Sequence, residues 1–168
     1  ARDGSARFVV DLNGPSGLRP SVGDLDADGD AEVAAAATDG TVLAVDAAGD
    51  AVFETDLDVS VDRRPLIADF EGDGRDESED PRGVAVATVG ESETTVRLLD
   101  ADGDALWTET PAVTPLTWTA VDTPDGPALA LGGTNGNLQT IDLADGSGRF
   151  EVGLQDLPVT VGDASPGR

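Results

Sequence analysis

Apolar and polar residues alternate in short runs along most of this 168-residue chain. Three stretches share one pattern: "TVLAVDAAGDAVFETDL" from Thr41, "TVRLLDADGDALWTET" from Thr95 and "NLQTIDLADGSGRFEVGL" from Asn137. Each has an alternating strand, an Asp, a turn of small residues with Gly, and a second strand carrying an aromatic. Period-two alternation on both sides of a Gly turn predicts a β-hairpin. The aromatic falls four residues after the turn glycine every time, as Gly49 to Phe53, Gly103 to Trp107 and Gly146 to Phe150.

A second block precedes two of the hairpins. "RPSVGDLDADGDAEVAAAAT" from Arg19 matches "RPLIADFEGDGRDESEDPRGVAVAT" from Arg64, with Pro20 and Pro65 45 residues apart. "LTWTAVDTPDGPALALGGT" from Leu116 is an eroded third copy. "ARFVVDL" near the N-terminus matches the last strand of a repeat, and "PVTVGDA" from Pro158 matches the first strand of another. The repeats are expected at 1–12 (partial), 13–57, 58–111, 112–155 and 156–168 (partial). Polar insertions around Ser78–Arg82 and Glu91–Glu93 lengthen the second. Each full repeat should hold four strands, A to D, at 19–25, 32–38, 41–47 and 51–57, at 64–70, 82–90, 94–101 and 105–111, and at 116–122, 127–134, 137–143 and 149–155. No segment shows helical periodicity. Repeats of about 45 residues with four strands read as β-propeller blades, which bury their faces against one another. The expected fold is all-β: about three antiparallel four-stranded blades with partial blades at both ends, an incomplete or open propeller. The open edges would be covered by a neighbouring subunit or by the remaining blades of a longer chain.

The hairpins resemble the repeats of quinoprotein-type (PQQ-like) propellers, whose tryptophan-docking pattern is roughly Ala-x-Asp-x-x-x-Gly-x-x-x-Trp. "DLADGSGRF" keeps the spacing of Asp142, Gly146 and Phe150, whereas "AVDAAGDAVF" and "LLDADGDALW" are one residue shorter before the glycine. The upstream blocks resemble integrin-like FG-GAP or VCBS repeats, in which "DxDxDGxxE" leads into an apolar strand. The resemblance implies a propeller and, at the upstream blocks, Ca2+ loops between strands A and B. It leaves function open, because such propellers serve many roles.

Composition narrows the setting. Acidic residues number 34 against 10 basic ones, for a formal net charge of −24, and Lys, His, Cys, Met and Tyr are absent. Such a charge repels nucleic acid and anionic membranes. Self-repulsion also costs stability, a cost that molar salt removes by shortening the Debye length to about 3 Å. The Asp-rich, Lys-free composition resembles that of extreme halophiles, expected here to be a haloarchaeon; a high-GC bacterium is the rival source. The longest apolar run, Val33–Ala37, falls far short of the roughly 20 residues of a membrane helix, so no membrane insertion is expected. No secretory h-region opens the chain, which is read as a leader removed or a numbering that starts inside a longer product.

Acidic loops supply the candidate chemistry. A Ca2+ cage needs carboxylates at alternate positions, a glycine at the sharp turn and a backbone carbonyl. Asp24, Asp26, Asp28 and Glu32 fall at positions 1, 3, 5 and 9, with Gly29 at the turn and the carbonyl of Asp30 at 7. Asp69, Glu71, Asp73 and Glu77 repeat the pattern with Gly74 and the Arg75 carbonyl. In a chain one-fifth acidic, chance yields this pattern roughly 0.03 times per chain. Two copies at equivalent places therefore point to one or two Ca2+ sites. The third repeat keeps only Asp122 and Asp125 and should bind nothing. "DADGDA" recurs at 100–105, but Leu98 and Leu106 replace the outer ligands. There Asp100 and Asp102 should accept backbone N–H bonds in a turn.

Other residues have plainer readings. Trp118 should pack in the core rather than stack a ligand. Arg63 and Arg64 should form salt bridges across blades rather than bind an anion. Asn135, Gly136 and Asn137 should make a hairpin turn. Without His, Cys, Lys or Tyr the chain lacks the usual bases and nucleophiles, so no enzyme is expected. The favoured function is a non-catalytic, Ca2+-stabilised propeller module for protein–protein interaction or structure in a surface or secreted protein, with the cytoplasm of a halophile as the other setting. The runner-up is a PQQ-like scaffold of the outer-membrane-assembly type, binding peptides at its blade edges without metal. A fragment of a quinoprotein or carbohydrate-active enzyme ranks third.

Overall fold

A computed structural model of the chain describes residues 5–69, 82–89, 93–134 and 136–153. Among them lie thirteen strands, and no helix. The first sheet runs β1 (Ser21–Gly23), β2 (Glu32–Ala36), β3 (Thr41–Val45) and β4 (Ala51–Asp56), in that order. The second holds β5 (Ser60–Val61), β6 (Leu66–Asp69), β7 (Arg82–Val89), β8 (Thr94–Leu99) and β9 (Ala105–Glu109). The third runs β10 (Pro115–Thr123), β11 (Gly126–Gly133), β12 (Asn137–Asp142) and β13 (Gly148–Gly153). All ladders are antiparallel, and all twelve expected strands are present, with ends moved by at most two residues.

Two departures have physical causes. The strand expected within 6–12 is not a strand. No described strand lies beside it to supply ladder hydrogen bonds, and a strand exists only by such pairing. The extra strand β5 arises because strand A of the second sheet is broken at Arg63-Arg64-Pro65. Proline cannot donate to a ladder, so β6 pairs with one half of β7 and β5 with the other: Leu66 faces Ala85, and Ser60 faces Val89. The strand expected around 158–164 lies outside the described residues.

Alternation along β7 explains the stacking of the sheets. Val84 and Val86 point to the first sheet, where they meet Ala34, Ala36, Val42, Ala44 and Phe53. Ala85 and Ala87 point to the third, toward Leu129, Leu131, Ile141 and Trp118. All four β7 residues are fully buried, so the middle sheet is covered on both faces. Small residues there let neighbouring sheets approach closely.

The conserved spacing from turn glycine to aromatic now has a spatial meaning. A Cβ on Gly103 would lie 2.8 Å from the Phe53 ring, and one on Gly146 2.8 Å from Trp107. The aromatics of the first two sheets thus pack against the turn glycine of the next sheet. Phe8 meets Gly49 in the same way, at 2.7 Å, so the N-terminal segment does the packing expected of a D strand although it forms none. Trp107 also donates from Nε1 to the Leu143 carbonyl at 2.8 Å. Phe150, last in the series, is 48% exposed. On the inner side, β1 touches β6 and β6 touches β10. There the Ile67 N–H donates to Ser21 Oγ at 3.1 Å.

Candidate functional site

The loop between β1 and β2 folds through local hydrogen bonds that its own sequence dictates. Asp24 Oδ2 accepts from the Gly29 N–H at 3.2 Å, Asp26 Oδ1 from Asp28, and Asp28 Oδ1 from Asp30 at 2.8 Å. Ala27 and Gly29 take positive φ, 61° and 89°, which winds the loop tightly. Alternate carboxylates consequently point inward. Asp24, Asp26 and Asp28 each offer an oxygen, and these oxygens lie within 4.8 Å of one another. With Ca–O bonds of about 2.4 Å, oxygens on opposite sides of one ion are about 4.8 Å apart. The donor set is all-oxygen and anionic, which suits Ca2+. Asp24 Oδ1 is buried with no hydrogen-bond partner, a costly state for a carboxylate oxygen unless a cation completes it.

Glu32 and Asp30 take different places. Both line the cleft beside the loop, but neither belongs to the three-oxygen group. Glu32 is 2% exposed and its Oε2 accepts from the Leu25 N–H at 2.7 Å. Burial, opposed by that hydrogen bond and reinforced by Asp26, Asp28 and Asp24, pushes its carboxyl above the ordinary range. Glu32 therefore ties the two ends of the loop together. Arg82 of β7 donates to the Asp24 carbonyl at 3.1 Å, joining the loop to the second sheet. In the second loop Asp69 closes β6, while Glu71, Asp73, Gly74, Arg75 and Glu77 lie outside the described residues.

The second "DADGDA" is a turn. Asp100 Oδ1 accepts from the N–H groups of Asp102 and Asp104 at 3.0 and 2.9 Å, and the Asp100 N–H donates to the Asp104 carbonyl. Asp46 does the same in the first sheet: its Oδ1 accepts from Asp50, Ala48 and Gly49. Those N–H groups, Asp50 foremost, hold its carboxyl below the usual aspartate range. The two copies of the hexapeptide meet in space, since Asp26, Asp100 and Asp102 line one cleft with Arg82.

A comparison between sheets shows a residue that sequence reasoning passed over. The β3–β4, β8–β9 and β12–β13 ladders each carry a bulge just before the docking aromatic. It leaves Val52, Leu106 and Arg149 as the extra residue, and bulges re-aim such side chains. In the third sheet Arg149 Nε and Nη2 donate to Asp142 Oδ2, at 2.9 and 2.5 Å. The same guanidinium reaches Thr123 Oγ1, the Gly126 carbonyl and the Asp125 carbonyl in the A–B turn. Arg149 is thus a built-in cation joining the A–B and C–D turns where the third repeat has lost its acidic loop. In the first sheet Val52 occupies the equivalent place. It lines an open cleft of about 500 Å³ together with Asp26, Asp28, Asp30, Glu32 and Asp46, and with Arg7 of the N-terminal segment. The signal was legible, an Arg two residues beyond "DGS" where the other repeats carry Val or Leu, but only an alignment through the bulge gives it meaning.

The plainer readings fare differently. Trp118 is 5% exposed, packs in the core and donates from Nε1 to the Arg64 carbonyl at 3.2 Å. Arg63 crosses to the third sheet, but its partner there is the Pro115 carbonyl at 2.9 Å; its salt bridge is to the adjacent Asp62. Arg64 makes no cross-sheet salt bridge among the described residues. Its side chain is exposed.

Stacked antiparallel meanders, the first two docking an aromatic onto the turn glycine of the next, define a β-propeller fold, with three blades among the described residues. A solved structure agrees. The chain is similar to BamB from Moraxella catarrhalis, with a TM-score of 0.53 and 21% identity over 80% of this chain. It spans 36% of that protein. A protein of unknown function from Bacteroides caccae matches with a TM-score of 0.46 at 14% identity, over 79% of this chain and 44% of its own. No protein-family model and no curated protein matches the sequence.

Proposed function

We propose that the chain is a non-catalytic β-propeller module, stabilised by Ca2+ in its first blade, that serves protein–protein interaction or a structural role at the surface of, or outside, a halophilic archaeal cell. The observation that carries the metal is the buried, unpartnered Oδ1 of Asp24, a residue whose carboxylate groups with those of Asp26 and Asp28. Arg149 supports it, because the third blade fills the equivalent position with a cation of its own. Asp24, Asp26 and Asp28 would hold the ion, with the Asp30 carbonyl completing the cage from the cleft side. Bound Ca2+ would neutralise clustered charge and fix the A–B loop to the blade edge. The second loop, Asp69 to Glu77, would hold a second ion by the same pattern. The propeller fold supports the interaction role, and a net charge of −24 supports a high-salt setting.

Melting in molar KCl with Ca2+ and with excess chelator tests the reading. Calcium at a hundred times its Kd should add about 2.7 kcal/mol, and Asp24→Asn with Asp26→Asn should abolish the difference. A melting temperature indifferent to calcium would sink the metal. The second reading, a scaffold that binds peptides without metal, is favoured by the third blade, whose turns Arg149 already holds. It predicts peptide binding that survives chelation.

A further inference from the structure

Arginine is scarce in this chain and has abundant acidic partners, so unpaired arginines brought together call for an explanation. Arg19, at the entry to β1, Arg63 and Arg64, in the break between β5 and β6, and Thr117 of β10 line one cleft of about 420 Å³ with Trp118. Each blade contributes one wall, and the cleft opens where the three A strands begin side by side. "Arg-Pro" starts strand A in two repeats, at 19–20 and 64–65, which places Arg19 and Arg64 at equivalent levels.

Arg63 is satisfied by Asp62 and by the Asp62 and Pro115 carbonyls. Arg19 and Arg64 are exposed and have no hydrogen bond or ion pair among the described residues. The Trp118 indole, fixed in the core, holds the Arg64 backbone through its Nε1–H. No carboxylate is among the described residues lining the cleft. Three positive groups therefore converge at one mouth of a strongly acidic molecule, and only one has a counter-charge. Like charges repel unless an anion joins them, and guanidinium forks match carboxylate and phosphate oxygens in geometry.

We propose that this mouth is an oxyanion-binding site. Arg19 and Arg64 grip the carboxylate or phosphate group of a ligand, the Thr117 hydroxyl is placed to donate a further hydrogen bond, and Arg63 contributes charge. An acidic peptide and a phosphorylated ligand share this chemistry. The proposal is independent of calcium in the first blade, which lies on different residues.

Isothermal titration calorimetry tests it, with succinate and methyl phosphate as probes. Both bind calcium weakly, and KCl holds the ionic strength constant. At least one probe should bind saturably at one site per chain. Arg19→Gln and Arg64→Gln should each weaken binding about ten-fold or more, as expected for loss of a charge-assisted hydrogen bond. Arg97→Gln, on β8, should not. The variants' melting temperatures show that the fold is intact. Succinate without methyl phosphate assigns a carboxylate ligand, the reverse assigns a phosphate, and both together assign a general oxyanion site. No saturable binding of either probe, or binding undiminished in both variants, overturns the proposal.

Discussion

Gly103→Ala isolates the contact that joins the first blade to the second. Gly103 has φ +83°, and a Cβ there would lie 2.4 Å from Thr55 Oγ1 and 2.8 Å from Phe53 Cδ2. Two costs combine. A left-handed conformation costs a non-glycine residue about 1 kcal/mol, and forcing a methyl into a filled contact costs about 1–3 kcal/mol more. Thr55 has little room to retreat, because its hydroxyl donates to the Gly103 carbonyl at 3.0 Å. Gly136→Ala is the control: φ is +78°, yet nothing lies within 4 Å of its Cβ position. The control should lose about 1 kcal/mol, roughly 2–4 °C in melting temperature for a chain of this size. Gly103→Ala should lose about 2–4 kcal/mol, measured at one KCl and one calcium concentration. A cycle with Phe53→Ala should recover about 1–2 kcal/mol of that loss, since the smaller side chain makes room for the methyl. Equal losses at Gly103 and Gly136, or no coupling to Phe53, would refute the docking account and leave only backbone strain.

Arg149→Met should destabilise the third blade by about 2–4 kcal/mol, seen in thermal melts, because it leaves Asp142 and two turn carbonyls without their cation. Arg149→Lys should restore little, since an ammonium cannot reproduce the fork that spans both turns. Glu32 gives a pH dependence opposite to that of most carboxylates. Its folded pKa is raised by burial, so its contribution is most favourable below the ordinary glutamate range and is lost as pH rises through the raised value. In chelator, Glu32→Gln should therefore raise the melting temperature at neutral pH and flatten its pH dependence above the ordinary range. A variant less stable than wild type there, with the Leu25 bond retained, would contradict that sign.

The fold was legible because three independent signals agreed. Alternation marked the strands, the recurring glycine marked the C–D turns, and the fixed step to an aromatic marked the packing between blades. Alternation failed at 6–12, where the pattern of a strand is present but its ladder partner is not. It also missed β5, because the break at Arg63-Arg64-Pro65 depends on how much longer β7 is than the strand that pairs with it. Side-chain patterns carry information about faces; strand identity also needs a neighbour, which no local window contains.

The acidic loops illustrate the same limit at the level of chemistry. The nine-residue spacing singled out Asp24, Asp26 and Asp28, whose carboxylate oxygens the fold brings together, and placed Glu32 beside them. Spacing alone could not say that Glu32 would turn to the Leu25 N–H and become the clasp of the loop. It did distinguish the two hexapeptides, through their flanks: Asp24 and Glu32 in one case, Leu98 and Leu106 in the other. The bulge residue makes the argument general. At one position in the blade, Val52 faces carboxylates across an open cleft, Leu106 lines a cleft with Arg82 of β7, and Arg149 reaches into the turns itself. Each blade has to balance the acidic C–D turn and the A–B connection with positive charge. The third does so with a side chain on its own D strand and the second with Arg82 nearby, whereas the first has no arginine on that strand and only Arg7 of the N-terminal segment lining its acidic cleft. If the first blade holds the proposed Ca2+, Val52→Arg, by supplying a guanidinium on its D strand, should reduce the gain in melting temperature on adding calcium.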